Sequence, residues 1–207
     1  MAEWLNAPVL KTGVLERGPR VRISLSPLKE QSIGLNRIKI MNKEEIIFEK
    51  AITYKKERCD VVHKNTNDFS AIPDELIKKA HGVCIHNNKI LLVLHPEWNI
   101  WSIPGGGRDE GETIIETLHR EVLEETNCNV VSLEPIAYQK IQASDGDLYY
   151  ATFYLCDVVP EGDFVEDVAG NITEIKWISF DEYKNYIEDK TFKLEVIKEA
   201  LAQYNKK

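Results

Sequence analysis

A run of three glycines at 105–107 stands directly ahead of a charged turn and of a segment with helical apolar spacing. Glycine adopts backbone angles that other residues avoid, and it lets a second group approach the chain closely. Thr113 and Glu116 match the S/T-x-x-E capping box, which predicts that a helix begins at Thr113. Asn127 tolerates the left-handed conformation that ends many helices. The sequence therefore predicts a glycine loop that leads into a helix of defined length.

One face of this predicted helix is apolar. Four aliphatic residues recur at spacings of three and four, which is the pattern of a helix that packs against a sheet. We expect all four to be buried: Ile114, Ile115, Leu118 and Val122.

Three glutamates near the end of this helix, Glu121, Glu124 and Glu125, occupy neighbouring positions on its surface. Their like charges repel, and the helix dipole further disfavours anions at a C-terminal end. Mg²⁺ or Mn²⁺ would compensate this charge, because both prefer carboxylate, carbonyl and water oxygens. Arg120 can also hold a carboxylate by a bidentate contact. From these residues alone, an exposed and solvated acidic helix end is the alternative.

The chain from Met41 onward reads as a single α/β unit. Two apolar runs, His81–His86 and Lys89–His95, are joined by two asparagines that tolerate positive φ, which predicts a β-hairpin. Further strands are predicted at Ile46–Tyr54, Arg58–Lys64, Leu133–Ala143, Leu148–Val159 and Ile175–Phe180, a short helical turn at Asp74–Lys79, and helices at Asp181–Asp189 and Phe192–Tyr204.

Composition excludes several classes of partner. The 207 residues include 26 basic and 34 acidic side chains, a net charge of −8, which argues against extended nucleic acid or an anionic membrane as a ligand. The longest apolar stretches, such as Ile90–Leu94, are too short to cross a bilayer. The N-terminus also lacks the apolar core of a secretion signal, so we expect a cytoplasmic location. The four cysteines lack a C-x-x-C spacing, so we expect reduced, buried thiols.

Residues 1–40 differ from the rest of the chain, since they hold 7 basic and 3 acidic residues and are broken by prolines and glycines. Residues 1–27 resemble the translation of a bacterial serine transfer-RNA gene. For example, Arg20-Val21-Arg22-Ile23 can be encoded by CGG-GTT-CGA-ATC, which contains a T-arm sequence. Our hypothesis is a misplaced start codon, with the natural protein beginning near Met41 and residues 1–40 a non-native or disordered extension. A basic arm for nucleic acid is the alternative.

The glycine loop and the acidic helix together carry a specific motif. Gly106 is followed after five residues by Glu112, and after seven more by Arg120-Glu121-Val122-Leu123-Glu124-Glu125. This is the spacing of the Nudix box, and the chain from about His81 to Lys207 resembles the Nudix hydrolase family. The family pattern continues with a glycine and an aliphatic residue, where this chain has Asn127 and Cys128. That departure puts the geometry of the following loop in question rather than metal binding.

The resemblance implies an α/β/α sandwich with a mixed sheet and hydrolysis of a nucleoside diphosphate linked to another group, with Mg²⁺ or Mn²⁺ as cofactor. It also implies a division of roles within the box. The expected metal ligands are the carbonyl of Gly106 and the carboxylates of Glu121, Glu124 and Glu125. The expected catalytic group consists of Glu112, Arg120, Glu121 and Glu124, with Arg120 orienting a glutamate and Glu112 supporting the same network.

Other residues carry weaker expectations. Glu121 or Glu124 can act as the base, with Glu166 and Glu174 as candidates outside the box. Arg108 is a candidate contact to a substrate phosphate. Histidines 81, 86 and 95 are interpreted as structural.

The substrate class stays open at this point. We favour a nucleoside triphosphate, including an oxidised one. Residues 143–145 are Ala-Ser-Asp, where family branches that act on ADP-ribose or on dinucleoside polyphosphates are marked by a proline or a tyrosine. A binding or regulatory module that does not cleave its nucleotide is one alternative, and a hydrolase of RNA 5′ ends is another. We expect residues 81–207 to form the hydrolase domain, whereas residues 41–80 can extend the sheet, cover the substrate or pair with a second subunit in a homodimer.

Overall fold

The computed structural model describes residues 46–54, 57–164, 172–187 and 192–207, and side chains from Cys59 onward. The expectations for residues 1–40 lie outside this part of the chain. The strands are β1 (Ile46–Tyr54), β2 (Glu57–Asn65), β3 (Ile77–His86), β4 (Lys89–His95), β5 (Ile100–Ser102), β6 (Gly105–Gly107), β7 (Cys128–Ala143), β8 (Leu148–Pro160) and β9 (Glu174–Ser179), and the helices are α1 (Ile114–Thr126) and α2 (Phe192–Tyr204).

The nine strands of the described residues form one mixed sheet. Its main order is β1-β2-β7-β8-β3-β4-β5, with β6 paired to β3 and β9 paired to β4. β3 and β8 run parallel, and the other neighbours are antiparallel. The β3–β6 pair matters most for the site, because it fixes the glycine loop against the centre of the sheet.

A helix covers each face of this sheet. α1 packs on the face that holds Cys84 and Tyr154, and α2 packs on the opposite face against Val83 and Phe153. This arrangement is an α/β/α sandwich with a mixed sheet, so the predicted fold class is confirmed.

Local signals set the ends of α1. Thr113 and Glu116 form the capping box in both directions, and Asn127 takes the left-handed conformation with φ 54° and ψ 38°. Leu118 and Val122 are fully buried, as predicted. The prediction for Ile115 was wrong, since this residue is 36% exposed, whereas the neighbouring Ile114 is buried and faces the sheet.

Several other predicted elements are confirmed and some are shorter than expected. Asn87 and Asn88 have φ of 48° and 57° and close the β3–β4 hairpin. The turn predicted at Asp74–Lys79 is a single 3-10 turn at Asp74–Leu76, since β3 already begins at the next residue. The helix predicted at Asp181–Asp189 is reduced, within the described residues, to a 3-10 turn at Tyr183–Asn185.

The segment 41–80 extends the sheet in its described part. β1 and β2 form an antiparallel pair, and β2 continues onto β7, with Val61 opposite Ile141.

The four cysteines are buried and free, as expected from their spacing. In the described ranges, no helix is both long and apolar enough to cross a membrane.

The C-cap of α1 provides a test of the departure from glycine at position 127. We expect Asn127→Gly to lower the free energy of unfolding only slightly, because glycine also adopts the left-handed conformation and the side-chain hydrogen bond that it loses, to the carbonyl of Asp163, is exposed. Asn127→Ala should lower it by about 1 kcal/mol, because alanine pays a steric cost there. Urea unfolding of both variants checks this, and an alanine variant as stable as the wild type would contradict it.

Candidate active site

The guanidinium of Arg120 lies at the centre of the acidic cluster. Its Nε donates to Oε1 of Glu112 at 2.7 Å, and its Nη1 donates to Oε1 of Glu121 at 2.9 Å and to Oε2 of Glu124 at 3.1 Å. Nη2 donates to the carbonyl of Gly107 at 3.0 Å, which ties the helix to the glycine loop. A fourth carboxylate, that of Asp109, lies 3.7 Å from Nη2. One positive charge thus faces four negative ones.

Glu112 is the most firmly held of these carboxylates. Arg120 contacts both of its oxygens, with a second distance of 3.0 Å from Nη2 to Oε2. The backbone N–H of Asp109 and the hydroxyl of Thr117 also donate to Oε2, at 3.1 Å and 2.9 Å. The hydrogen bond from Arg120, aided by these donors, lowers the pKa of Glu112 to about 2. Glu112 is therefore an anchor that stays ionised.

Glu121 lies against the glycine loop. A Cβ at Gly106 would lie 2.5 Å from the Glu121 carboxylate, so only glycine leaves room for this contact. Burial raises the pKa of Glu121, and the neighbouring Arg120 partly opposes that shift. The carboxylate is thus held in a place where its charge is poorly solvated.

The other two glutamates have different surroundings. The side chain of Glu124 is 52% exposed and faces solvent beside Arg120. Glu125 is 8% exposed, and its Oε2 accepts the backbone N–H of Gly105 at 2.8 Å. Gly105 has φ of 134°, and a Cβ there would lie 2.3 Å from the carbonyl oxygen of Ala80, which explains the second glycine. Glu125 and Glu121 therefore contact the loop at two successive glycines, Gly105 and Gly106.

The chemistry of this cluster fits a hard divalent cation. Among the described residues, no three His, Cys, Asp or Glu side chains converge in the geometry of a metal site. Glu112, Glu121 and Glu124 each form an ion pair with Arg120. Carboxylate and carbonyl oxygens are nevertheless the donors that Mg²⁺ and Mn²⁺ prefer. The four carboxylates around one guanidinium leave three negative charges uncompensated, and a divalent cation would offset most of that excess.

Of the remaining sequence candidates, Arg108 and Glu174 make contacts other than those with Arg120. Arg108 is engaged with protein groups: it donates to the carbonyl of Glu112 at 2.6 Å and forms an ion pair with Asp74 at 2.8 Å. Glu174 begins β9 opposite Leu94, and its Oε1 lies 3.6 Å from Lys176. Glu166 lies outside the described residues.

Sequence reasoning overlooked Lys193, which lies near His81 and His95, two histidines interpreted as structural, on the other side of the glycine loop. Lys193 of α2 donates from Nζ to Oγ of Ser102 at 2.6 Å. His81 stacks on Phe153 with ring centroids 5.4 Å apart, and His95 lies near both Lys193 and His81. Lys193 gave no signal in the sequence, because it is one of several lysines in an ordinary C-terminal helix.

A surface cleft of about 620 Å³ lies elsewhere on the molecule. Its lining includes Asn65, Glu134, Glu199 and Lys207, and it contains none of the residues around Arg120. We assign no chemistry to it, since its lining lacks the convergent charges of the acidic cluster.

The contact between Gly106 and Glu121 can be tested by stability. We expect Gly106→Ala to lower the free energy of unfolding by about 1–3 kcal/mol, because the added methyl group displaces a half-buried carboxylate. Gly162→Ala is the matched control, since a Cβ there would meet only Asn127 Nδ2 at 3.7 Å. Chemical unfolding of both variants measures the difference, and equal stability of the two would refute the contact.

Comparison with known proteins places this chain in a family. The sequence profile of the NUDIX domain matches residues 77–200, more than half of the chain. The chain is 31% identical to an RNA pyrophosphohydrolase of Sulfurovum sp. over 119 residues, covering 52% of this chain and 75% of that protein. It is 32% identical to a candidate 8-oxo-dGTP diphosphatase of Bacillus subtilis over 95 residues, covering 45% and 59%. Three Nudix hydrolases of Arabidopsis thaliana are matched over 29 or 30% of their own length.

The fold agrees with the sequence matches. A crystal structure of a pyrophosphohydrolase from Bacillus subtilis superposes with a TM-score of 0.55 at 19% identity, covering 76% of this chain and 98% of that one. At this identity the likeness shows the fold alone. The profile match, which spans more than half of the chain, shows that the chain belongs to the Nudix family.

Proposed function

We propose that this protein is a divalent-metal-dependent hydrolase that cleaves a pyrophosphate bond in a nucleoside diphosphate-linked substrate. The observation that carries the proposal is the excess of three negative charges around Arg120, held in place beside the glycine loop. A structural role alone would not require four carboxylates at one guanidinium, because like charges at such short range destabilise the fold.

The residues divide the work in this proposal. Arg120 and Glu112 position the helix and the loop, and they stay charged over a wide pH range because each stabilises the charged form of the other. The carbonyl of Gly106 and the carboxylates of Glu121, Glu124 and Glu125 would hold Mg²⁺ or Mn²⁺. When bound, the metal supplies positive charge against the pyrophosphate oxygens and lowers the pKa of a water molecule.

Glu124 is our candidate for the general base. Its side chain is 52% exposed, so water reaches it, whereas Glu121 is packed against Gly106. A base must lie within hydrogen-bond reach of the proton that it removes, and the exposed carboxylate meets this requirement most directly. Glu121 is then left to act as a ligand.

For the substrate we propose a nucleoside triphosphate, including an oxidised one. The relative named for 8-oxo-dGTP supports this choice, as does the net charge of −8, which disfavours a long polyanion. The second candidate is the triphosphorylated 5′ end of RNA. It is favoured by the RNA pyrophosphohydrolase relative, of which the chain covers 75%.

The role of Glu124 gives the first test. With Mg²⁺ present, we expect Glu124→Gln to lower kcat by at least about 100-fold, because the amide neither accepts a proton nor carries the charge that binds a metal. Phosphate release from a panel of nucleotides measures this, and excess EDTA should abolish the wild-type activity. The control is Glu110→Gln, an exposed change in the same loop, which should leave kcat unchanged.

Two outcomes would count against this proposal. Full activity of Glu124→Gln would exclude the carboxylate from catalysis. Tight nucleotide binding without turnover, in both the variant and the wild type, would instead support a binding or regulatory module.

The substrate class gives the second test. We expect kcat/KM to be at least about tenfold higher for a nucleoside triphosphate than for a 5′-triphosphorylated oligoribonucleotide, because an acidic surface repels the longer anion. Both substrates are compared at equal ionic strength, with 8-oxo-dGTP beside dGTP. A preference for the oligoribonucleotide would assign the protein to RNA 5′ ends.

A further inference from the structure

Strand register places two basic residues of β3 beside the glycine loop. Lys79 is paired with Gly107 and His81 with Gly105. Both side chains lie on the face of the sheet that α2 covers, since they alternate in step with Val83 and Ile85 of that core. The loop therefore has acidic groups from α1 on one side and basic groups on the other.

Lys193 adds a third basic side chain from α2. Its Nζ is held by Ser102 Oγ at 2.6 Å, and Ser102 ends β5 just ahead of the glycine loop. An ammonium group has three N–H donors, so the serine takes one and leaves two to point elsewhere. A lysine held in this way is a placed cation rather than a mobile surface charge.

The basic groups on this side of the loop lie in surroundings that disfavour positive charge. Burial lowers the pKa of Lys193 to about 8, with Glu125 opposing that shift and Lys79 adding to it. Burial and the nearby Lys79 and Lys193 lower the pKa of His81 to about 3, so this histidine is neutral near pH 7. Lys79, His81 and Lys193 each remain partly accessible to solvent, so a solute can reach them.

The two arginines of the loop and helix are committed elsewhere. Arg120 binds Glu112, Glu121 and Glu124, and Arg108 binds Asp74 and the carbonyl of Glu112. A substrate that carries several phosphate charges would therefore gain from a protein cation in addition to the metal. Glu125 interacts with both sides, because its Oε2 accepts the backbone N–H of Gly105 and its charge raises the pKa of Lys193.

We propose that Lys193, placed by Ser102, binds a phosphate oxygen of the substrate on the α2 side of the glycine loop. This inference rests on the proposed function, and it names a residue outside the Nudix box that binds the phosphate chain. Lys193 forms a charge-assisted hydrogen bond to the phosphate, while the carboxylates of α1 act from the other side.

The test measures binding of inorganic pyrophosphate with Mg²⁺ by isothermal titration calorimetry on the full chain. We expect Lys193→Met to raise the Kd by about tenfold or more, and Lys193→Arg to restore most of the affinity. Lys198→Met is the control, because Lys198 lies on the exposed side of the same helix and pairs with Glu195. In steady-state kinetics Lys193→Met should raise KM more than it lowers kcat.

A second variant separates placement from folding. Ser102→Ala keeps the ammonium charge but removes its hydrogen bond, and we expect a Kd increase of about three- to fivefold, with thermal unfolding measured for each variant. An unchanged Kd in both Lys193→Met and Ser102→Ala would overturn the inference, as would a wild type that binds no pyrophosphate. Hydrolysis is measured separately. If the protein hydrolyses nucleotides but its affinity for pyrophosphate does not depend on Lys193, only this inference is refuted. If binding depends on Lys193 but no nucleotide is hydrolysed, only the proposed function is refuted.

Discussion

The rest of the site depends on the contact between Arg120 and the carboxylates around it. A single guanidinium holds Glu112 with two hydrogen bonds and reaches the carbonyl of Gly107, so helix, turn and loop are joined at one point. Bidentate contacts of this kind fix orientation as well as distance. Because the carboxylates outnumber the cation, the same contact that orders the site also leaves it with a charge that a metal can balance.

The glycine loop is the second half of this arrangement. Positions 105 and 106 require glycine, because neighbouring groups occupy the space that a Cβ would need. At Gly105 this group is the β3 backbone, and at Gly106 it is the Glu121 carboxylate. β6 then fixes this loop to β3, in the middle of the mixed sheet. The loop thus lies between α1, which supplies carboxylates, and the α2 face, where Lys193 lies.

The departures from the family pattern have a simple structural outcome. Asn127 takes the left-handed conformation that a glycine would take, and its side chain donates to the carbonyl of Asp163 at 2.9 Å. Cys128 is 1% exposed and begins β7 within the α1 core, where a small apolar side chain fits. The helix therefore ends in the left-handed conformation with asparagine at position 127, and β7 begins at the next residue.

The sequence by itself predicted α1, the β3–β4 hairpin and the charged residues of the motif, because caps, turns and helical periodicity depend on residues that are close together in the sequence. The burial of Ile115 was mispredicted, since helical periodicity predicts which face of α1 is apolar, but packing against the sheet decides which residues at the edge of that face are buried. Only the tertiary structure separated the three glutamates into exposed Glu124, packed Glu121 and buried Glu125. It alone also brought Lys193 to Ser102, 91 residues away, because pairing of distant strands and docking of α2 leave no trace in local sequence.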